Sequence, residues 1–314
     1  MTAIAPADFG RVAVLMGGWS SERPVSLRSG AAVLQALVEA GVDAHGVDVD
    51  RRVDRVLRDG GYDRVFNVLH GAGGEDGTIQ GLLEVLGLPY TGSGVTASAV
   101  SMDKMLSKRI WRAAGLPTPP FMRLTADTDW GRVVKALGLP LMVKPVAEGS
   151  SIGMTRVDDA AALPAAWRHA AESGGEVMAE AWIEGGEYTV AILDGEALPV
   201  ICVETPRGFY DYEAKYRADD TRYLCPCGLP AEAEDEVQRL ALAAFRTLGA
   251  RGWGRMDLLR DGDGKFWLIE LNTVPGMTDH SLVPKAAAAA GMDFQALVLR
   301  ILATTLTEDS GHVG

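Results

Sequence analysis

Gly254-Arg-Met-Asp-Leu-Leu-Arg-Asp-Gly-Asp-Gly-Lys-Phe-Trp-Leu-Ile-Glu-Leu-Asn272 contains two apolar runs, Met256–Arg260 and Lys265–Leu271, on either side of Asp261-Gly-Asp-Gly264. Glycine-bearing turn residues between such runs signal a β-hairpin. A turn centred on Asp263-Gly264 sets Asp257 opposite Glu270, with β-carbons roughly 5 Å apart. Two carboxylates placed face to face repel, so a packed hairpin does not select the pair without compensation. Asn272 lies two residues beyond Glu270 and therefore on the same strand face. Two carboxylates and an amide oxygen converging on one point make a hard, oxygen-rich site suited to Mg²⁺. The competing reading leaves Asp257 and Glu270 solvated on an exposed face. The Asp-Gly-Asp-Gly turn does not begin an EF-hand, because the other ligands of such a loop are absent.

The surrounding chain is that of a globular protein, with 314 residues, 47% hydrophobic and 23% charged. At ~100–150 residues per domain, that length accommodates two or three units. The net charge is −12 and no lysine- or arginine-rich run occurs. Nucleic acid and anionic membrane would be repelled, which favours a small-molecule partner. Cys202, Cys225 and Cys227 are an odd set, and Cys-Pro-Cys is neither a zinc nor a redox spacing. A reducing compartment accounts for them. Met1–Gly10 lacks the basic and apolar regions of a secretion signal. No apolar run approaches the ~20 residues that span a bilayer. A cytoplasmic protein is expected.

Toward the N-terminus, short apolar strands alternate with amphipathic helices. Arg11–Met16 reads as a strand ending in Gly17-Gly18. The helix after it carries Val33, Leu34, Leu37 and Val38 on its apolar face and is capped by Gly41. Val65–Leu69 reads as a second strand running into His70 and the glycine-rich loop Gly71–Gly77. This alternation predicts a doubly wound parallel sheet, whose binding residues follow the carboxyl ends of strands. Glu22 and His70 occupy such positions. A break follows at the predicted helix Ser101–Leu116, and composition changes again near Glu184–Gly186. Thr205–Leu229 has little regular pattern but many aromatics, which suggests an ordered lid. Ala233–Leu248 reads as a helix with an acidic first turn, an apolar stripe of Val237, Leu240, Ala241, Ala244, Phe245 and Leu248, and Gly249 as its stop.

Lys144 follows the predicted strand Leu139–Val143 and precedes Glu148-Gly-Ser-Ser-Ile-Gly153. A glycine- and serine-rich loop after a strand can wrap N–H groups around phosphate oxygens, with lysine supplying point charge. Neither a P-loop nor a dinucleotide fingerprint occurs. Lys104, and Glu180 and Glu187 flanking Trp182-Ile183, read more readily as surface groups when taken alone.

Together these motifs resemble one family. Gly17-Gly-Trp-Ser-Ser-Glu22-Arg-Pro-Val-Ser26, His70-Gly-Ala-Gly-Gly-Glu-Asp-Gly77, Tyr90-Thr-Gly-Ser-Gly94, Ser101-Met-Asp-Lys104 and Lys144-Pro-Val-Ala-Glu148-Gly-Ser-Ser151 are similar to D-alanine–D-alanine ligases. So are Phe209-Tyr-Asp-Tyr-Glu-Ala-Lys-Tyr216, Gly254-Arg-Met-Asp257, Glu270-Leu-Asn-Thr-Val-Pro-Gly276 and His280-Ser-Leu-Val-Pro284. The resemblance runs from about Arg11 to Leu302. Ala72 stands where many relatives carry arginine, and Val274 where serine or leucine is common.

The resemblance implies a mixed α/β (α+β) ATP-grasp fold. An N-terminal α/β domain over 10–103 would be followed by a central subdomain over 104–184. A C-terminal subdomain over 185–310 would carry the lid 205–229. The implied reaction joins two D-alanines with ATP through a D-alanyl phosphate, for peptidoglycan precursors; a D-alanine–D-lactate ligase or another ATP-grasp carboxylate-amine ligase is the alternative. Glu22 would pair with the first D-alanine's ammonium, linked to Ser150 and Tyr216, with His70 near its carboxylate. Arg255 and the Gly276 N–H would hold the oxyanion, and Ser281 and the Leu282 N–H the second carboxylate. Lys104, Lys144 and Lys215 would bind phosphates, with Glu148 and Ser151 in the phosphate loop. Glu180, Trp182, Ile183 and Glu187 would line the adenosine pocket. Asp257, Glu270 and Asn272 would carry two Mg²⁺, or Mn²⁺ in their place, and the chain would be a homodimer.

Overall fold

The computed structural model describes residues 4–149, 153–205, 221–278 and 280–306. The first strands and helices are β1 (Arg11–Gly17), α1 (Arg23–Glu39), β2 (Asp43–Val49), α2 (Val53–Asp59), β3 (Arg64–Asn67) and α3 (Thr78–Leu86). The three strands form a parallel sheet in the order β2-β1-β3. Alternation along β1 shows that both faces are covered. Val12 and Val14 join a core with Val33 and Leu37 of α1, while Ala13 and Leu15 pack with Leu57 of α2 and Leu83 of α3. That is the doubly wound arrangement, with β2 added at the edge beside β1 as a strand not legible in the sequence. Strand β2 escaped the periodicity because its burial alternates only at the Val47–Val49 end. Val38, expected on the apolar face of α1, is 54% exposed because α1 buries the Val33–Leu37 stripe instead.

The next helices are α4 (Val95–Met102) and α5 (Lys104–Ala113). The expected single helix from Ser101 is broken here: the Asp103 carboxylate accepts from the Met105 and Leu106 N–H groups, each at 2.9 Å, so a new helix starts at Lys104. A second sheet follows, with β4 (Phe121–Leu124), α6 (Trp130–Leu137), β5 (Leu141–Pro145), β6 (Thr155–Val157), α7 (Leu163–Ala171) and β7 (Val177–Ala181). Its order is β4-β7-β5-β6, antiparallel throughout. Strand β5 starts two residues later than the apolar run, after the Leu139-Pro140 bond.

The third sheet contains β8 (Gly185–Leu193), β9 (Glu196–Ala197), β10 (Ile201–Glu204) and β11 (Arg222–Leu224). It is completed by β12 (Trp253–Asp261) and β13 (Phe266–Asn272), with the order β11-β10-β8-β12-β13. Part of the stretch expected to form the lid is therefore strand: Arg222–Leu224 pairs with β10, while 206–220 lies outside the described residues. Helix α8 (Ala231–Thr247) covers one sheet face with the expected Val237, Ala241, Ala244 and Phe245 stripe. On the other face, α9 (Leu282–Ala289) and α10 (Phe294–Ala303) share a core with Val12, Val14 and Phe66 of the first sheet. That common core fixes the first sheet against the third. No single helix among the described residues is long and apolar enough to cross a membrane.

Candidate active site

The β12–β13 hairpin places Asp257 opposite Glu270 and Arg255 opposite Asn272, as its sequence indicates. The route differs from a simple hairpin. Next to the turn Leu258 faces Leu268, and the register shifts between Asp257 and Leu258. Ile269 is the extra residue of that bulge. Without it Asp257 would face a different neighbour, so the bulge aims the acidic pair.

Each acid is held by a cation. Arg255 donates from two guanidinium nitrogens to the two Asp257 oxygens, both at 2.7 Å, and Asn272 Nδ2 donates to Asp257 Oδ2 at 3.0 Å. Lys104 Nζ lies 3.2 Å from Glu270 Oε2 and donates to the Glu148 carbonyl at 2.8 Å. Lys104 thus ties the hairpin to the loop after β5. No group of three His, Cys, Asp or Glu side chains among the described residues encloses a metal. Two carboxylates and a neighbouring amide nevertheless fit a hard divalent cation that completes its shell with water or phosphate oxygens.

These acids line one wall of a cleft of about 470 Å³ between the second and third sheets. Lys144 and Glu180 line the opposite wall, and Glu148, Trp182, Ile183 and Glu187 also line the cleft. Trp182 is held by the Arg156 guanidinium 4.6 Å from its ring centre and donates to Glu184 Oε2 at 2.8 Å. Glu180 is buried and ion-paired to both Lys144 and Lys108. Burial opposes its ionisation, but the two ammonium groups outweigh that cost and hold its carboxyl down at about 2. The sequence brought Lys104, Lys144, Glu180 and Glu187 forward only as weak candidates; the fold gathers them. Ser150, Ser151, Lys215 and Tyr216 lie outside the described residues.

A second group of expected residues meets at the end of this cleft, where the first sheet joins. Glu22 precedes α1 and lies against two glycines: a Cβ on Gly149 would sit 2.9 Å from Glu22 Oε2, and one on Gly71 2.8 Å. Gly71, with φ +67°, sits in the left-handed region that favours glycine, and at both positions the bare backbone passes close beside the carboxylate. His70 follows β3 and is buried, with Nδ1 2.9 Å from the Val274 carbonyl. A carbonyl only accepts, so Nδ1 carries the proton and Nε2 keeps its lone pair. Burial drives the imidazole pKa down, against the charge of Glu22. Ser281 Oγ accepts from the Thr278 N–H at 3.0 Å and lies close beside Gly276, where an added Cβ would sit 2.9 Å from it. Ser281 is the residue before α9, which presents the Leu282 N–H at a helix N-terminus.

Glu75 was quoted within a motif but given no role by sequence. Its carboxylate accepts from the Gly71 N–H at 2.7 Å and from the Val274 N–H at 3.3 Å, joining the first sheet's loop to the segment after β13. Burial, reinforced by the nearby Glu22 charge, pushes its pKa up to about 8. In the unfolded chain its ordinary value is 4.5. Below that pH both states hold the proton; above it the unfolded chain releases a proton that the folded chain keeps. Glu75 therefore costs stability progressively as pH rises toward 8. Glu75→Gln, a mimic of the protonated acid, gains melting temperature over the wild type between pH 5 and 8. A constant difference across that range refutes the assignment.

Two sheets closing on one cleft, with lysines on one wall and paired acids on the other, are the ATP-grasp architecture of a ligase. Residues 110–303 match the family model described as D-ala D-ala ligase C-terminus, and residues 52–93 the one described as D-ala D-ala ligase N-terminus. The chain is 56% identical to the D-alanine--D-alanine ligase of Ectopseudomonas mendocina, covering 97% of each chain. It is 59% identical to that of Aromatoleum aromaticum, covering 94% of this chain and 96% of the relative. The crystal structure of D-alanine--D-alanine ligase from Bacillus anthracis complexed with ATP is similar at a TM-score of 0.84 and 35% identity, over 95% of this chain and 97% of that one. The VanG D-Ala:D-Ser ligase of Enterococcus faecalis is similar at a TM-score of 0.82 and 29% identity, over 94% of this chain and 99% of that one. The chain belongs to the D-alanine–D-alanine ligase family.

Proposed function

We propose that this ligase joins two D-alanines with ATP, releasing ADP and phosphate through a D-alanyl phosphate, for peptidoglycan precursor synthesis. The observation that carries the reading is the junction at Gly149, where the cleft between the sheets meets the carboxylate of Glu22. A nucleotide in the cleft would direct its terminal phosphate toward that junction, where an ammonium-bearing substrate meets Glu22. Glu180, Trp182, Ile183 and Glu187 take the adenosine end. Lys104, Lys144 and Lys215 take the phosphates, with Glu148 and Ser151 in the adjoining loop. Asp257, Glu270 and Asn272 would hold two Mg²⁺, or Mn²⁺, which supply charge neutralisation at the phosphates when bound.

A carboxylate is a poor electrophile, and transfer of a phosphoryl group to it creates a leaving group. Glu22, linked to Ser150 and Tyr216, fixes the first D-alanine by its ammonium, and neutral His70 stands near that substrate's carboxylate. The second D-alanine's carboxylate sits on Ser281 and the Leu282 N–H at the start of α9, where the helix dipole favours an anion. Its amine then attacks the acyl carbon, with the developing oxyanion held by Arg255 and the Gly276 N–H. The part of 205–229 that does not join the third sheet as β11 would act as a lid over the site and keep water from the acyl phosphate.

Three units over 10–103, 104–184 and 185–310, in a cytoplasmic homodimer, complete the reading. Phosphate release measured with ATP, Mg²⁺ and D-alanine tests the reaction; no D-alanine-dependent release defeats it. Competition among D-alanine, D-lactate and D-serine as second substrate tests the specificity. Preferential formation of D-alanyl-D-lactate near neutral pH would overturn the dipeptide assignment.

A further inference from the structure

Lys108 is fully buried and touches none of the substrates in the proposed reaction. It lies one helical turn after Lys104 on α5, so both side chains leave the same helix face. Lys104 reaches Glu270, whereas Lys108 reaches behind the cleft wall. Its ammonium lies 2.8 Å from Thr118 Oγ1, 3.3 Å from the Leu268 carbonyl and 2.9 Å from Glu180 Oε2. Thr118 Oγ1 in turn donates to the Leu268 carbonyl at 2.8 Å. The charged groups that act on Lys108 are Glu180 on β7, Lys144 on β5 and Glu270 on β13. Burial pulls its pKa down to about 8, and Glu180 works against that fall.

Two buried lysines therefore share one carboxylate, one cation more than pairing requires. Only Lys144 lines the cleft; Lys108 is enclosed and anchored. Glu180 Oε2 lies 2.9 Å from the Lys108 ammonium, while Oε1 faces Lys144. A lone buried carboxylate is costly, while a paired one is tolerated.

We propose that Lys108 is a positioning residue for the nucleotide: it keeps Glu180 ionised and in place, so that Lys144 can leave Glu180 for a phosphate. This rests on the assignment of the cleft to ATP. It predicts an exchange in which Lys144 moves and Lys108 stays, so the adenosine wall holds its shape while the phosphates bind. Removing Lys108 leaves a neutral Lys144–Glu180 pair in the empty cleft, which should fold well. The deficit then appears only when phosphates call Lys144 away.

The test compares a non-hydrolysable ATP analogue with adenosine by calorimetry, in wild type and Lys108→Met. Wild-type binding of the analogue checks the cleft assignment separately; no binding there defeats that assignment and the role of Lys108 with it, whereas wild-type binding with the variant results below bears on Lys108 alone. The analogue's Kd in Lys108→Met rises at least tenfold, adenosine's Kd changes less than threefold, and the KM for D-alanine stays within threefold. A merely structural role would weaken both nucleoside ligands alike and lower the melting temperature. Equal losses for the two ligands, or an unchanged Kd for the analogue, overturn the proposal. If Lys108→Met does not fold, the double variant K108M/E180Q provides the measurement. A neutral amide at 180 needs no second cation, so the ratio of analogue to adenosine affinity returns to that of wild type. A tenfold lower ratio in the double variant overturns the proposal.

Discussion

Arg255→Ala lowers kcat by roughly 10²-fold or more, with a smaller change in the KM for D-alanine. Removing one preorganised oxyanion donor costs about 3–4 kcal/mol of transition-state stabilisation. Arg255 has the geometry for such a donor, because it shares a strand face with Asp257 and grips both of its oxygens at 2.7 Å. It is also largely covered, at 14% side-chain exposure against 13% for Asp257, so water does not screen it as it would a surface arginine. Lysine at 255 keeps the charge and loses the two-pronged grip, so Arg255→Lys recovers part of the activity and not all of it. Steady-state kinetics on both variants, with circular dichroism to confirm folding, makes the comparison. A loss confined to KM would assign Arg255 to ground-state binding instead.

Asp257→Asn and Glu270→Gln each abolish measurable turnover and leave the fold intact. Both replacements keep side-chain shape and remove the charge that a divalent cation requires. In the free protein, each acid is already balanced by a cation: Arg255 at Asp257 and Lys104 at Glu270. Both pairs are largely covered, so neutralising one acid leaves its cation under-compensated and costs stability, which the amide's retained shape and hydrogen bonding partly offset. Melting temperature therefore falls without loss of the fold, while the Mg²⁺ affinity collapses. Titration of activity with Mg²⁺, together with direct Mg²⁺ binding in the presence of ADP, separates the two effects. Wild-type turnover at saturating Mg²⁺ would leave the metal assignment untenable.

The hairpin shows how far local sequence carries. Turn chemistry and alternation placed Asp257 opposite Glu270, and the structure has that pair. The extra residue Ile269 was not legible, because nothing in the local apolar pattern marks where the β12–β13 register shifts. Asp103 was readable as a cap only in hindsight, since an apolar pattern continues across it. Strand β2 was missed because most of its residues are polar or half exposed, and only pairing with β1 makes it a strand.

What the sequence determined by itself is the set of local signals: strand–turn–strand at the acidic pair, glycines after β1 and β3, the stripe of α8, and motifs numerous enough to indicate one family. Tertiary structure alone decided which distant side chains share a charge. Lys108 and Glu180 are 72 residues apart, and no periodicity links a helix to a strand of another sheet. Glu75 and Val274 are 199 residues apart. The environment of each group, dry and beside another charge, sets its ionisation. That environment exists only after the three sheets have packed around one cleft.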